Sequence, residues 1–115
     1  MPIPEFQVQI AHTEIARFMQ NRRPRPEIRH QLDLKAEIEG SIVTLFEVRP
    51  HYQDPSIIRS NPFAKIKWVG TRRQWELFWM RASGKWVSYE PSPCAAAIAE
   101  LFDEIQNDPH GCFFG

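Results

Sequence analysis

Leu32-Asp33-Leu34-Lys35-Ala36-Glu37-Ile38-Glu39-Gly40-Ser41-Ile42-Val43-Thr44-Leu45-Phe46-Glu47-Val48-Arg49 is the stretch on which the fold turns. Up to Glu39, apolar Leu32, Leu34, Ala36 and Ile38 alternate with charged Asp33, Lys35, Glu37 and Glu39. A period of two puts all four apolar side chains on one side of an extended chain, which is the signature of a half-buried strand. Gly40 marks a turn, and residues 42–49 read as a second strand. An odd-numbered loop places Ile42, Phe46 and Val48 on the face of Leu32 and Leu34, whereas an even loop exposes them. Since register follows the face that is buried, the odd loop is expected.

Toward the N-terminus, residues 5–21 read as a helix. Pro4 suits its first position, Glu5 suits its first turn, and Val8, Ala11, Ile15, Phe18 and Met19 form one stripe. Pro24 ends it, because the residue before a proline is pushed out of helical geometry. The segment that follows carries Arg22, Arg23, Arg25 and Arg29 around two prolines. Toward the C-terminus, residues 50–61 read as a polar connection and residues 63–69 as a third strand. Residues 70–73 turn the chain into a fourth strand over 74–81, and Ser83-Gly84 marks a tight hairpin into residues 85–90. Ser92-Pro93 opens a last helix as cap and first residue, with Cys94, Ala97, Ile98, Leu101, Phe102 and Ile105 as its buried stripe. Asn107-Asp108-Pro109 stops it, and the apolar tail Phe113-Phe114 is expected to dock. The fold class is α+β: an antiparallel meander of four to five strands with an N-terminal and a C-terminal helix.

A length of 115 residues leaves room for one domain, residues 1–115. The chain is 43% hydrophobic and 24% charged, ordinary for a globular protein and unlike a disordered or fibrous one. Lys+Arg 14 balance Asp+Glu 14, so no whole-molecule field draws in nucleic acid or an anionic membrane. Two cysteines are too few for a disulfide scaffold and fit a reducing, cytoplasmic setting. The N-terminus has no signal-peptide pattern, and no apolar run approaches the ~20 residues of a membrane span.

Chemistry is concentrated on the sheet. Pairing the third and fourth strands across the 70–73 turn sets Trp68 opposite Trp75, Ile66 opposite Leu77 and Ala64 opposite Trp79, an apolar core side. The other side then carries Lys65, Lys67, Glu76, Phe78 and Met80. A three-residue hairpin loop adds Trp86 and Ser88 to it, and a two-residue loop adds Val87 and Tyr89. Such a mixture of lysines and rings suits single-stranded nucleic acid, whose phosphates follow cations and whose bases stack. The structural alternative is a helix over this face, with Lys67 pairing Glu76. Arg22, Arg23, Arg25 and Arg29 are candidate phosphate contacts, or else a solvated linker.

No catalytic residue and no metal or other cofactor is expected. His12, His30, His51, His110, Cys94 and Cys112 are scattered, and Cys94 falls on the buried helix stripe. A weaker, nuclease-like reading puts Asp33, Glu47 and Lys65 on successive strands around a metal. Three stretches, 22–50, 75–91 and 108–115, resemble a family of short bacterial proteins known only as a domain of unknown function, number three-zero-two-four. The resemblance implies a free-standing bacterial cytosolic domain and carries no activity. The expected function is therefore a small binding module whose ligand is nucleic acid or a protein. A self-associating domain is the alternative, a homodimer in which Phe113-Phe114 fills a groove on another copy.

Overall fold

The computed structural model describes residues 3–114. Its elements are α1 (Glu5–Arg22), β1 (Asp33–Glu39), β2 (Ile42–Pro50), β3 (Ile58–Val69), β4 (Gln74–Met80), β5 (Trp86–Ser88), β6 (Cys94–Ala95) and α2 (Ile98–Asn107). Strands β1 to β5 form an antiparallel meander in chain order, and β6 pairs with the start of β4, beyond β5 on the same edge. The class is α+β. Among the described residues no helix is long and apolar enough to cross a membrane.

The decisive turn is even. Glu39 pairs with Ile42 across the two-residue loop Gly40-Ser41. Gly40 has φ +60° while Ser41 stays at negative φ, the pattern of a type II′ hairpin turn whose first position favours glycine. Cross-strand partners share a face, so Ile38 lies beside Val43 and Ala36 beside Leu45. Val43 and Leu45 are fully buried, whereas Ile42, Phe46 and Val48 go to the opposite face and are only half-buried. The expected odd loop is thus corrected. Val43 and Leu45 satisfy the dry side, so burial alone did not require Ile42, Phe46 and Val48 there.

Other boundaries moved for similar reasons. Residues 58–61, expected in a polar connection, are the start of β3 and pair with β2 as far as Pro50↔Ile58. Phe63 is an extra residue in that ladder, at a bulge where Leu45 faces Ala64 and Phe46 faces Pro62. Pro62, which has no N–H to donate, is tolerated at this break. The last helix does not begin at Ser92-Pro93. Cys94 and Ala95 instead pair with Glu76 and Trp75, and the helix starts at Ile98 with no side-chain cap. Cys94 is consequently exposed rather than part of a buried stripe. α1 closes as expected, since Arg23 ahead of Pro24 is extended at φ −63°, ψ 131°.

One cluster of buried side chains holds the molecule together. It joins Ala11 and Phe18 of α1 to Ile98, Leu101, Phe102 and Ile105 of α2 and to one face of the sheet, with Leu34, Val43, Leu45, Ile66, Trp75 and Leu77. Trp68 and Trp75 meet edge-on at 5.1 Å. Tyr89 is fully buried, and its hydroxyl donates to Glu104 Oε1 at 2.9 Å, tying the β4 edge to α2. Burial first, then that bond, pushes the Tyr89 hydroxyl well above its ordinary pKa.

The tail docks on its own chain. Asp108 stops α2 in the left-handed conformation at φ 42°. Its carboxylate accepts the N–H groups of Phe113 at 3.1 Å and Phe114 at 2.8 Å. Phe113 packs on Tyr89 at 5.1 Å, and Phe114 sits 5.3 Å from Phe63 and 6.3 Å from Phe18. The tail docks as expected, and the rings that the alternative reading sets in a groove on another copy fill one on their own chain.

The two faces should respond differently to truncation. Trp75→Ala empties a fully buried site and is expected to cost about 3–5 kcal/mol, whereas Trp86→Ala on the other face should cost no more than ~1 kcal/mol. Urea denaturation of both variants measures this, and equal losses would contradict the one-sided core.

Candidate functional site

Both helices contribute their buried apolar residues to the cluster on the core face, and among the described residues no side chain of the opposite face belongs to that cluster. That second face is built by alternation: Lys35 and Glu37 from β1, Ile42, Thr44 and Phe46 from β2, Lys65 and Lys67 from β3, Glu76, Phe78 and Met80 from β4, and Trp86 from β5. The last member follows from the hairpin after β4. Arg81 N–H bonds to the Lys85 carbonyl at 3.0 Å around the three-residue loop Ala82-Ser83-Gly84, and Gly84 has φ 85°. That loop brings Met80 opposite Trp86 and Phe78 opposite Ser88.

Lys65, Lys67, Phe78 and Trp86 are thereby brought together. Lys65 lies opposite Phe78, and Lys67 opposite Glu76. The Lys65 ammonium stands 4.9 Å from the Phe78 ring and 4.9 Å from the Trp86 ring, a cation held between two π faces. Burial, and secondarily the charge of Lys67, lower its pKa from the ordinary 10.5. Among the described residues neither Lys65 nor Lys67 forms an ion pair. A groove of about 500 Å³ runs alongside, lined by Glu39, Ile42, Thr44, Phe46, Lys65 and Trp86. At its far side Lys35 lies 5.0 Å over the Phe46 ring.

Phe46 and Lys35 belong to this surface and escaped the sequence reading. An odd loop puts Phe46 in the core. The signal that places it correctly is Gly40 as first residue of a two-residue turn.

The arginine segment is not assembled with the lysines, and its charges are largely engaged. Arg22 donates to the Gln106 carbonyl and lies 4.2 Å over the Phe114 ring. Arg23 grips both oxygens of Asp33, at 2.8 and 2.9 Å. Arg29 donates to the Pro24 carbonyl at 2.8 Å, while Arg25 is exposed. Arg22 thus ties the end of α1 to α2 and Arg23 ties the following segment to β1, while the Arg29 bond closes that segment on itself.

The nuclease-like arrangement does not form. Leu34 pairs with Glu47, so Glu47 lies on the core face and Asp33, one residue away, on the other. Asp33 is held by Arg23, and Glu47 by Arg49 at 2.7 Å. Among the described residues no three His, Cys, Asp or Glu side chains come together as metal ligands.

A family model described as a domain of unknown function (DUF3024) matches residues 3–115. No curated protein and no solved structure matches the chain.

The Arg23–Asp33 grip has a pH signature. Hydrogen bonds from Arg23 hold the Asp33 carboxyl below its ordinary 3.8, against a smaller opposing effect of burial. A lowered folded-state pKa contributes stability above the unfolded value, and that contribution is lost as pH falls through the folded one. Asp33→Asn is expected to destabilise by at most ~1 kcal/mol at neutral pH, as a partly exposed pair should. The deficit should shrink once pH drops below 3.8. Urea melts across this range test it, and a deficit independent of pH would count against the pair.

Proposed function

We propose, for a chain that belongs to the DUF3024 family of unknown function, that it is a non-enzymatic binding module whose uncovered sheet face takes single-stranded nucleic acid. The carrying observation is the Lys65 ammonium between the Phe78 and Trp86 rings, on a face that neither helix packs against. A nucleotide satisfies both partners of that contact at once. A base stacks on a ring, and the ammonium moves to the adjoining phosphate. An apolar protein surface would instead desolvate two unpaired cations, which is costly.

The balanced overall charge conceals a segregation that supports this reading. From Arg59 to Lys85 the chain carries Arg59, Lys65, Lys67, Arg72, Arg73, Arg81 and Lys85 against the single acid Glu76. After Lys85 it carries Glu90, Glu100, Asp103, Glu104 and Asp108 and no Lys or Arg. The strands under the rings are therefore locally basic, and local phosphate contacts set salt-dependent affinity. The arginine segment contributes Arg25 at most, because Arg22, Arg23 and Arg29 are occupied within the chain. The same reading places the module in the bacterial cytoplasm, where its unbridged thiols Cys94 and Cys112 are at home.

Fluorescence anisotropy with a labelled single-stranded oligonucleotide tests the proposal. Binding is expected at ~50 mM salt and should weaken linearly on a logarithmic salt axis. Trp86→Ala should lose about 1–3 kcal/mol, roughly fivefold to 150-fold in Kd. Lys67→Ala should reduce the salt slope by about 0.7, the share of one phosphate contact on a single strand. Absence of binding at ~50 mM salt, or wild-type affinity in both variants, would overturn it.

A further inference from the structure

β1 pairs with β2 on one side and, among the described residues, has no strand on the other. The two-residue turn makes Glu39 and Ile42 a hydrogen-bonded pair, so Glu37, Lys35 and Asp33 bond to β2 in alternation. Leu34, Ala36 and Ile38 therefore turn their N–H and C=O groups outward along the edge. The Leu34 N–H accordingly finds its partner locally, on the Asp33 carboxylate at 2.8 Å.

We propose that this edge is a homodimer interface, in which β1 pairs antiparallel with β1 of a second copy about a twofold axis at Ala36, joining two sheets into one. The charge pattern of the strand selects both the occupant and the register. With the axis at Ala36, Lys35 of each copy faces Glu37 of the other, Leu34 faces Ile38, and Ala36 faces itself. The outward backbone groups of Ala36 and Ile38 then gain strand partners. Moving the axis one residue back sets Lys35 against Lys35 and Asp33 against Glu37. Moving it one residue forward keeps Lys35 facing an acid, Glu39, but sets Glu37 against Glu37 at the centre of the interface. Like charges directly opposite are destabilising and opposite charges stabilising, so one register is favoured over both neighbours.

In the favoured register Asp33 faces Glu39 at the two ends, and Arg23 already neutralises Asp33 there. Edges are commonly protected by charges that would be buried or repelled on pairing. Here the charges of β1 all stand on the uncovered face, where Lys35 and Glu37 are partly exposed and already attract each other at 3.5 Å within one chain. Their arrangement is self-complementary rather than self-repelling. The core-face residues Leu34, Ala36 and Ile38 meanwhile extend one apolar row into the next. The proposal does not rest on nucleic-acid binding: it uses none of Lys65, Lys67, Phe78 or Trp86, and although Lys35 stands on the same face, its role here is read without nucleic acid.

The test is sedimentation equilibrium of the intact chain without nucleic acid. The wild type is expected to be a dimer in equilibrium with monomer. Lys35→Glu alone and Glu37→Lys alone each place like charges opposite one another and should raise the dimer Kd by about tenfold or more. The combined variant Lys35→Glu/Glu37→Lys exchanges the charges, restores complementarity and should return the Kd to near the wild-type value. Hydrogen exchange of the wild type supplies a readout free of substitution: the Ala36 and Ile38 amides should become more protected as protein concentration rises. A monomeric wild type would overturn the proposal. So would a dimer indifferent to either single reversal, a combined variant that stays monomeric, or Ala36 and Ile38 amides unaffected by concentration.

Discussion

Gly40 and Ser41 decide which side of the sheet every β2 residue occupies. Side chains alternate along a strand, so inserting or removing one residue in that turn would exchange the two faces of β2. With the turn as it stands, Val43 and Leu45 are fully buried while Ile42, Thr44 and Phe46 line the groove on the opposite side. The same two residues set which β1 amides bond to β2 and which point outward. Core, uncovered face and free edge thus share one local cause, a glycine able to hold φ +60° at the first position of a tight hairpin.

Both helices are committed to one side. α2 presents Ile98, Leu101, Phe102 and Ile105, and α1 presents Ala11 and Phe18, to the same cluster. The tail completes that cluster, because the Asp108 carboxylate folds Phe113 and Phe114 back onto Tyr89, Phe18 and Phe63. The rings of the other face are sheltered only by their neighbours. Lysine stems and ammonium groups over Phe46, Phe78 and Trp86 shield those rings while remaining hydrated at the rim. Such a cover is displaceable in a way that a packed helix is not, since each cation can exchange a ring for a phosphate.

Much of this is legible in the sequence. The β3–β4 register, with Trp68 on Trp75 and Lys65 on Phe78, follows from clean alternation on both sides of a short turn. β2 was ambiguous because both of its faces are apolar: Ile42, Phe46 and Val48 make one hydrophobic row and Val43 and Leu45 another, so either parity buries something. Ser92-Pro93 carries helix-start chemistry, yet pairing of Cys94 and Ala95 with the β4 edge prevails over it and delays the helix to Ile98. The arginine segment showed its charge but not its partners. Asp33, Gln106 and Phe114 lie 10, 84 and 92 positions away, and no local pattern announces them.

The most direct test of the central claim, that this sheet has one dry face and one uncovered face, is hydroxyl-radical footprinting of the free protein read by mass spectrometry. Trp68 and Trp75 are 5% and 0% exposed and sit on the dry face, whereas Met80 and Trp86 stand on the other. The expected pattern is ready oxidation at Met80 and Trp86 with protection at Trp68 and Trp75. Protection of all four, as a helix over the second face would give, or oxidation of Trp68 and Trp75 at the rate of Trp86, would contradict it.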